Sequence, residues 1–252
     1  MEKAARKASR HFARDFGEVE NLQVSRKGPA DFVSAADLKA ERILREELLK
    51  ARPNHGFLGE EGEEVKTQDG GRWIVDPLDG TSNFIHGLPH FAVSIALERD
   101  GALAAGAVYQ PLTDELFWAA KGAGAFLNNR RLRVSSRKSM ADSLFATGIP
   151  FLGRGDHPRF LRQLDAVMGV SAGVRRFGAA ALDLVYVAAG KFDGFWESGL
   201  APWDIAAGAL IAQEAGALVT DFGGGGDWLT SGDIVAAPPA LHEGLRAIAA
   251  DA

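Results

Sequence analysis

The stretch Trp73-Ile74-Val75-Asp76-Pro77-Leu78-Asp79-Gly80-Thr81-Ser82-Asn83 constrains this chain more than any other. A short apolar run, read as a buried strand, ends in two aspartates three positions apart. Pro77 and Gly80 shape the bend, and hydroxyl residues follow. Such a bend sets two carboxylates on one turn and leaves backbone N–H groups to face an anion. Hard divalent cations take oxygen ligands and phosphate takes N–H donors. The segment therefore points to metal-assisted chemistry on a phosphate. Asp-Gly is also a common turn dipeptide, and Asp before a helix is a common cap, so the rest of the chain must carry the choice.

The chain has 252 residues, 46% hydrophobic and 24% charged, which is ample for a buried core in one large domain or two intimate halves. Its formal charge is −5. Basic residues are dispersed apart from Arg130-Arg131-Leu132-Arg133, so no nucleic-acid footprint is expected. Cysteine is absent, which removes disulfides, Cys-based zinc sites and thiol nucleophiles together. The first residues are charged and no run of about 18 apolar residues occurs. These features lead us to expect a soluble cytoplasmic protein without a membrane partner.

Periodicity predicts a helix over residues 3–16, a break at Lys27-Gly28-Pro29-Ala30, and a second helix opened by Asp37 and running to about Leu49. Phe57-Leu58 reads as a short strand, Glu63 to Gly71 as a mobile loop, and the segment before Asp76 as a strand. Strands are expected over 91–98, 104–109, 116–119 and 125–134. After about Asp142 strands alternate with helices: helices over 160–168, 179–189, 204–215 and 241–250, strands over 173–177, 192–197, 218–221 and 234–236. Strands in runs, then strands alternating with helices, imply a layered α/β protein with mixed sheets.

Three more acidic residues stand where strands or turns meet helices: Asp37, Glu60 and Asp204. Asp37 and Asp204 also suit plain helix capping, and Glu60 belongs to a run of glutamates at 60, 61, 63 and 64 that solvent could hold. No histidine pair has the spacing of a zinc helix, and no G-x-S-x-G or phosphate-loop pattern occurs. Taken together, Gly59-Glu60-Glu61, Trp73 to Asn83, Trp203-Asp204-Ile205-Ala206-Ala207-Gly208 and Glu214-Ala215-Gly216 resemble the inositol monophosphatase family, within the lithium-sensitive, magnesium-dependent phosphatases. The resemblance runs from Lys27 to the last strand.

The resemblance implies a five-layer αβαβα sandwich, a single catalytic unit of two halves, 1–141 and 142–252, with the site between them. It implies that Glu60, Asp76, Asp79, Asp204 and the carbonyl of Leu78 hold two or three Mg²⁺ ions. It implies a catalytic set of Asp37, Glu60 and Thr81, with Thr81 and Asp37 orienting the attacking water. The N–H groups of Gly80 and Thr81 would hold the phosphate; Gly178, Ala179, Ala180, Glu197 and Asp204 would contact the substrate. Ser82 and Ala179 depart from residues common in the family. The implied reaction is hydrolysis of inositol monophosphate. Fructose-1,6-bisphosphate, histidinol phosphate and phosphoadenosine phosphates are the alternatives, and a role in a transcription complex is a further one. A glutamate at 197 suits a polyol better than a second phosphate, because like charges repel. A homodimer is expected, on the resemblance and on the Ala- and Leu-rich middle helix.

Overall fold

The computed structural model describes residues 1–17, 24–28, 31–153 and 155–251, with side chains of 13, 17, 24–28 and 31–34 left out. Two mixed sheets form the frame. A 7-stranded sheet runs in the order β3 (Gly56–Gly59), β4 (Gly71–Asp79), β5 (Ala92–Arg99), β6 (Ala102–Gln110), β7 (Glu115–Ala120), β8 (Gly124–Leu127) and β9 (Arg130–Arg131). A two-stranded ribbon precedes it, β1 (Val24–Gly28) with β2 (Asp31–Ser34). The second sheet combines β10 (Leu144–Thr147), β11 (Gly173–Arg175), β12 (Gly194–Glu197), β13 (Leu218–Thr220) and β14 (Ile234–Ala237) in the order β11-β10-β12-β14-β13.

Helices make the other three layers. α1 (Glu2–Ala8), α2 (Phe12–Gly17) and α3 (Ala35–Ala51) cover the outer face of the large sheet, with the five-residue α4 (Thr81–Ile85) at its edge. α5 (His157–Met168) and α9 (Pro239–Asp251) cover the outer face of the small sheet. Between the sheets lie α6 (Ala180–Ala188) and α7 (Pro202–Ala215), and α8 (Trp228–Ser231) packs beside α7. Three apolar cores, one per helix layer, give the five layers. A helix enclosed by two sheets must be apolar all round, and eight of the nine α6 residues are buried. Among the described residues no helix is long and apolar enough to cross a membrane.

Several elements differ from expectation for identifiable reasons. The first helix is split by a 3₁₀ turn at Ser9–His11, where the Ser9 hydroxyl donates to the Ala5 carbonyl at 2.9 Å. Such back-bonding four residues upstream bends helices. α3 starts at Ala35, so Asp37 sits inside its first turn and not at its cap. β4 runs past Asp76 to Asp79 through a register shift opposite β5. The expected strand over 125–134 is broken at Asn128, which has φ +51°. Val65 pairs with Phe57, so the segment after Glu63 is partly tied to the sheet. Pro29 and Ala30 of the expected break lie outside the described residues. Glu214, in the last motif, accepts the N–H groups of Gly122 and Gly124 at 2.8 Å each and ties α7 to the β7–β8 turn.

Candidate metal centre

Strand order brings the acidic residues together. β3 runs parallel to β4 with Gly59 opposite Val75, so Glu60 and Asp76 leave the same end of neighbouring strands. On the other side of β4, Asp76 pairs with Ser94. The Ser94 hydroxyl donates to the Trp203 carbonyl at 3.2 Å, which seats the start of α7, and with it Asp204, over the same spot. The bulge in β4 then allows Asp79 to return to the sheet opposite Ala92. Crevices beyond the carboxyl ends of strands are common binding places in α/β sheets.

The turn after β4 is held from three directions. Asp76 Oδ1 accepts the Leu78 N–H at 2.8 Å. The Thr81 hydroxyl lies 2.9 Å from Asp37 Oδ1 and 3.0 Å from the Leu78 carbonyl, so its single proton serves one of two acceptors. Gly80 adopts φ +92°, and a Cβ there would come within 2.9 Å of the His90 carbonyl. Asn83 reaches across the turn with its amide, donating to the carbonyls of His90 at 2.8 Å and Phe177 at 2.7 Å. Behind it, Phe84 packs edge-on against Phe91 with centroids 5.0 Å apart.

A cavity of about 310 Å³ opens on this turn. Its wall contains Glu60, Asp79, Gly80, Thr81, Gly178, Ala179, Ala180, Glu197 and Asp204, nine of the twelve expected site residues. Asp37, Asp76 and Leu78 do not line it: they are buried behind the wall, with Asp37 at 0% and Asp76 at 2% exposure. Sequence reasoning missed the remainder of the wall, including Gly148 to Phe151, Arg176 and Trp196. At Gly148 the Glu197 carboxylate occupies the space that a Cβ would fill, so a side chain there would displace it. No motif announced these residues; Gly148 to Phe151 follow β10, a strand that periodicity did not reveal, while Arg176 follows β11 and Trp196 lies in β12.

The sequence profile of the inositol monophosphatase family matches residues 1–252. The chain belongs to the inositol monophosphatase family. It is 60% identical over 249 residues to the inositol-1-monophosphatase of Rhizobium meliloti, covering 98% of this chain and 94% of that protein. It is 47% identical over 247 residues to the Nus factor SuhB of Vibrio cholerae, covering 98% and 91%. The crystal structure of the extragenic suppressor protein suhB from Bartonella henselae superposes with a TM-score of 0.97 at 54% identity, covering 100% of this chain and 97% of that one.

The geometry accounts for an alanine at position 179. Ala179 stands at the N-cap of α6 and has no side-chain oxygen to cap it. Asp79 supplies the missing acceptor from another segment: its Oδ2 takes the Ala181 N–H at 2.8 Å. Asp204 does the same within its own helix, accepting the Ala201 N–H at 2.7 Å. Both aspartates are therefore helix-end acceptors and pocket residues at once, and the two uses do not exclude each other.

The electrostatics of the cluster are those of like charges in a dry place. Burial pushes the Asp76 carboxyl well above the ordinary range, with Glu60, Asp79 and Asp204 adding repulsion. Asp79 is also raised, by burial and then by Asp204, against the relief given by the Ala181 N–H. Such a set is stable only with protons or cations among it. Among the described residues no three His, Asp or Glu side chains are already gathered closely enough to hold a metal ion. The donors are nonetheless all hard oxygens, and the Leu78 carbonyl keeps a second lone pair beside its bond to Thr81. That donor set fits a hard divalent cation and does not suit a soft one. Burial and the nearby Lys191 push His90 down to about 4, and its ring packs 4.9 Å from Phe177.

Asp183, on α6, is 1% exposed and its Oδ1 has no hydrogen-bond partner among the described residues. Burial raises its pKa well above the ordinary range, Glu197 and Asp79 add to this, and Arg176 opposes it. The folded state then holds a proton that the unfolded chain loses near pH 4. The stability this contributes is full below that pH and falls as pH rises. Asp183→Asn should stabilise the metal-free protein at pH 8 by about 1–3 kcal/mol and have little effect near pH 4. Urea unfolding at the two pH values tests this. A gain that does not grow with pH would contradict it.

Proposed function

We propose that this protein hydrolyses inositol monophosphate to inositol and phosphate, with Mg²⁺ as its cofactor. The observation that carries the proposal is the bond between Thr81 and Asp37 at 2.9 Å, formed on the turn that also carries Asp76 and Asp79. Relatives named inositol-1-monophosphatase support the choice of substrate. In this reading Glu60, Asp76, Asp79, Asp204 and the Leu78 carbonyl hold two or three Mg²⁺ ions. The ions, when bound, neutralise the phosphate dianion and lower the pKa of the attacking water.

The chain's own residues do the remainder. Thr81 donates to Asp37 and offers its oxygen to the water, which orients the attack and gives the departing proton a route to the carboxylate. Glu60 shares in setting the position of that water. The N–H groups of Gly80 and Thr81 open α4, where the helix does not use them, and face the phosphate. The new bond forms from water oxygen to phosphorus as the bond to the inositol oxygen breaks; of the two protons of that water, one ends on the inositol oxygen and one on phosphate. Gly178, Ala179 and Ala180 form the floor for the inositol, Glu197 accepts its hydroxyls, and Asp204 holds both cation and substrate. The whole chain acts as one catalytic unit, with the site between the halves 1–141 and 142–252.

A second reading, a role in a transcription complex alongside catalysis, is favoured by relatives named Nus factor SuhB. One variant addresses both readings. Thr81→Ala should lower kcat by about 10²–10⁴-fold, equivalent to roughly 3–5 kcal/mol, with KM changed far less. A melting temperature that falls while kcat stays constant would reduce Thr81 to a structural residue. Complementation of a deletion by the inactive variant would favour the second reading.

Glu197 faces the alcohol side of the pocket, so inositol 1-phosphate should be hydrolysed faster than fructose 1,6-bisphosphate. Arg176 lines the same cavity and works against that preference. Glu197→Gln should therefore raise KM for inositol phosphate and harm the bisphosphate less. A substrate panel with Mg²⁺, with EDTA and with added Li⁺ measures this; activity should vanish in EDTA and fall with Li⁺. Turnover in EDTA, or a native preference for the bisphosphate, would overturn the assignment. We also propose a cytoplasmic homodimer, supported by family membership. Light scattering should give about twice the 26.8 kDa chain mass, with the protein in the cytoplasmic fraction; a monomer at micromolar concentration would contradict it.

A further inference from the structure

One face of α3 carries Asp37, Glu41 and Arg45 at intervals of four residues. Asp37 meets Thr81, as described above. Glu41, one turn further on, is 4% exposed and does not line the cavity. Its Oε2 accepts the Glu61 backbone N–H at 2.7 Å. The chain closes around the carboxylate on both sides. A Cβ at Gly59 would overlap Oε2, and one at Gly62 would come within 2.6 Å of Oε1. Arg45 completes the clamp: its Nη2 lies 3.7 Å from Glu41 Oε1 and donates to the Glu63 carbonyl at 2.7 Å. Its guanidinium stacks over Phe57, 4.8 Å from the ring centroid.

The segment so gripped is Gly59-Glu60-Glu61-Gly62. A glycine at each end makes it intrinsically loose, and both glycines are needed because the carboxylate fills the space of their side chains. We propose that Glu41 is a positioning residue that fixes the backbone on either side of Glu60 and so sets the Glu60 carboxylate at the cation site. Asp37 and Glu41 together make α3 a ruler between the Thr81 turn and the Glu60 loop. The proposal rests on the reading of Glu60 as a cation ligand. Glu41 touches no cation itself. Its removal lets the loop sample other conformations, and that freedom must be lost again on binding.

Calorimetric titration of the metal-free protein with MgCl₂ tests the idea. Glu41→Ala should weaken Mg²⁺ binding about ten- to hundredfold, the usual range for residues that orient a metal ligand. Gly59→Ala, which pushes on the same carboxylate from the loop side, should act in the same direction. Glu41→Gln should restore part of the loss, since its amide oxygen can still accept the Glu61 N–H. If Glu41→Ala does not fold, Gly59→Ala and Glu41→Gln carry the test. A residue that merely stabilises the fold would lower the unfolding temperature in EDTA and leave Mg²⁺ affinity within twofold of the wild type. That result overturns the role of Glu41 and leaves the phosphatase reading intact. A wild-type protein that binds no Mg²⁺ overturns both.

Discussion

Glu60, Asp76, Asp79 and Asp204 lie within electrostatic reach of one another, and the repulsion among them is the constraint on which the surrounding structure depends. Asp76 and Asp79 are buried and their pKa values are raised. Carboxylates in such a place have to be neutralised by protons or by cations. Among the described residues Arg176 is the only Arg or Lys on the cavity wall. What the fold supplies is rigidity: the Leu78 N–H on Asp76, the Ala181 N–H on Asp79 and the Ala201 N–H on Asp204 hold each carboxylate in place. A site kept negative and stiff is suited to capture hard cations and then a phosphate.

That rigidity comes from layers on both faces of one sheet. On the outer face, α3 reaches the Thr81 turn with Asp37 and the Glu60 loop with Glu41. Between the sheets, the first turns of α6 and α7 deliver Ala181 and Asp204. These inner helices are largely alanine and leucine because both their sides are covered. Asp183 is the exception, a buried carboxyl one turn from the site without a partner for Oδ1. Natural proteins tend to tolerate such local cost at functional sites.

Relatives with different printed names, inositol-1-monophosphatase and Nus factor SuhB, share this architecture along nearly the full chain. One fold can carry different functions on different sites.

The sequence alone determined the strand-turn-helix around Asp76 and Asp79, because a short apolar run, a Pro, a Gly and hydroxyl residues specify that bend locally. It also determined the inner helices, whose continuous apolar composition admits few other placements. The candidate site residues were legible through the combination of motifs that resembles the family, since Asp37, Glu60 and Asp204 taken singly also suit a plain cap or solvent. The pairing of Asp37 with Thr81 was implied by the resemblance; the tertiary structure supplies the contact itself, across 44 positions, and sets Asp37 inside the first turn of α3 and not at its cap. Only the tertiary structure placed Glu41 around the Glu60 loop, Asp79 on the end of α6, and Gly148 under Glu197. A glutamate on a helix and a glycine in a loop look ordinary along the chain. Their roles arise from what the packed layers bring within hydrogen-bonding distance, and no local pattern of residues encodes that.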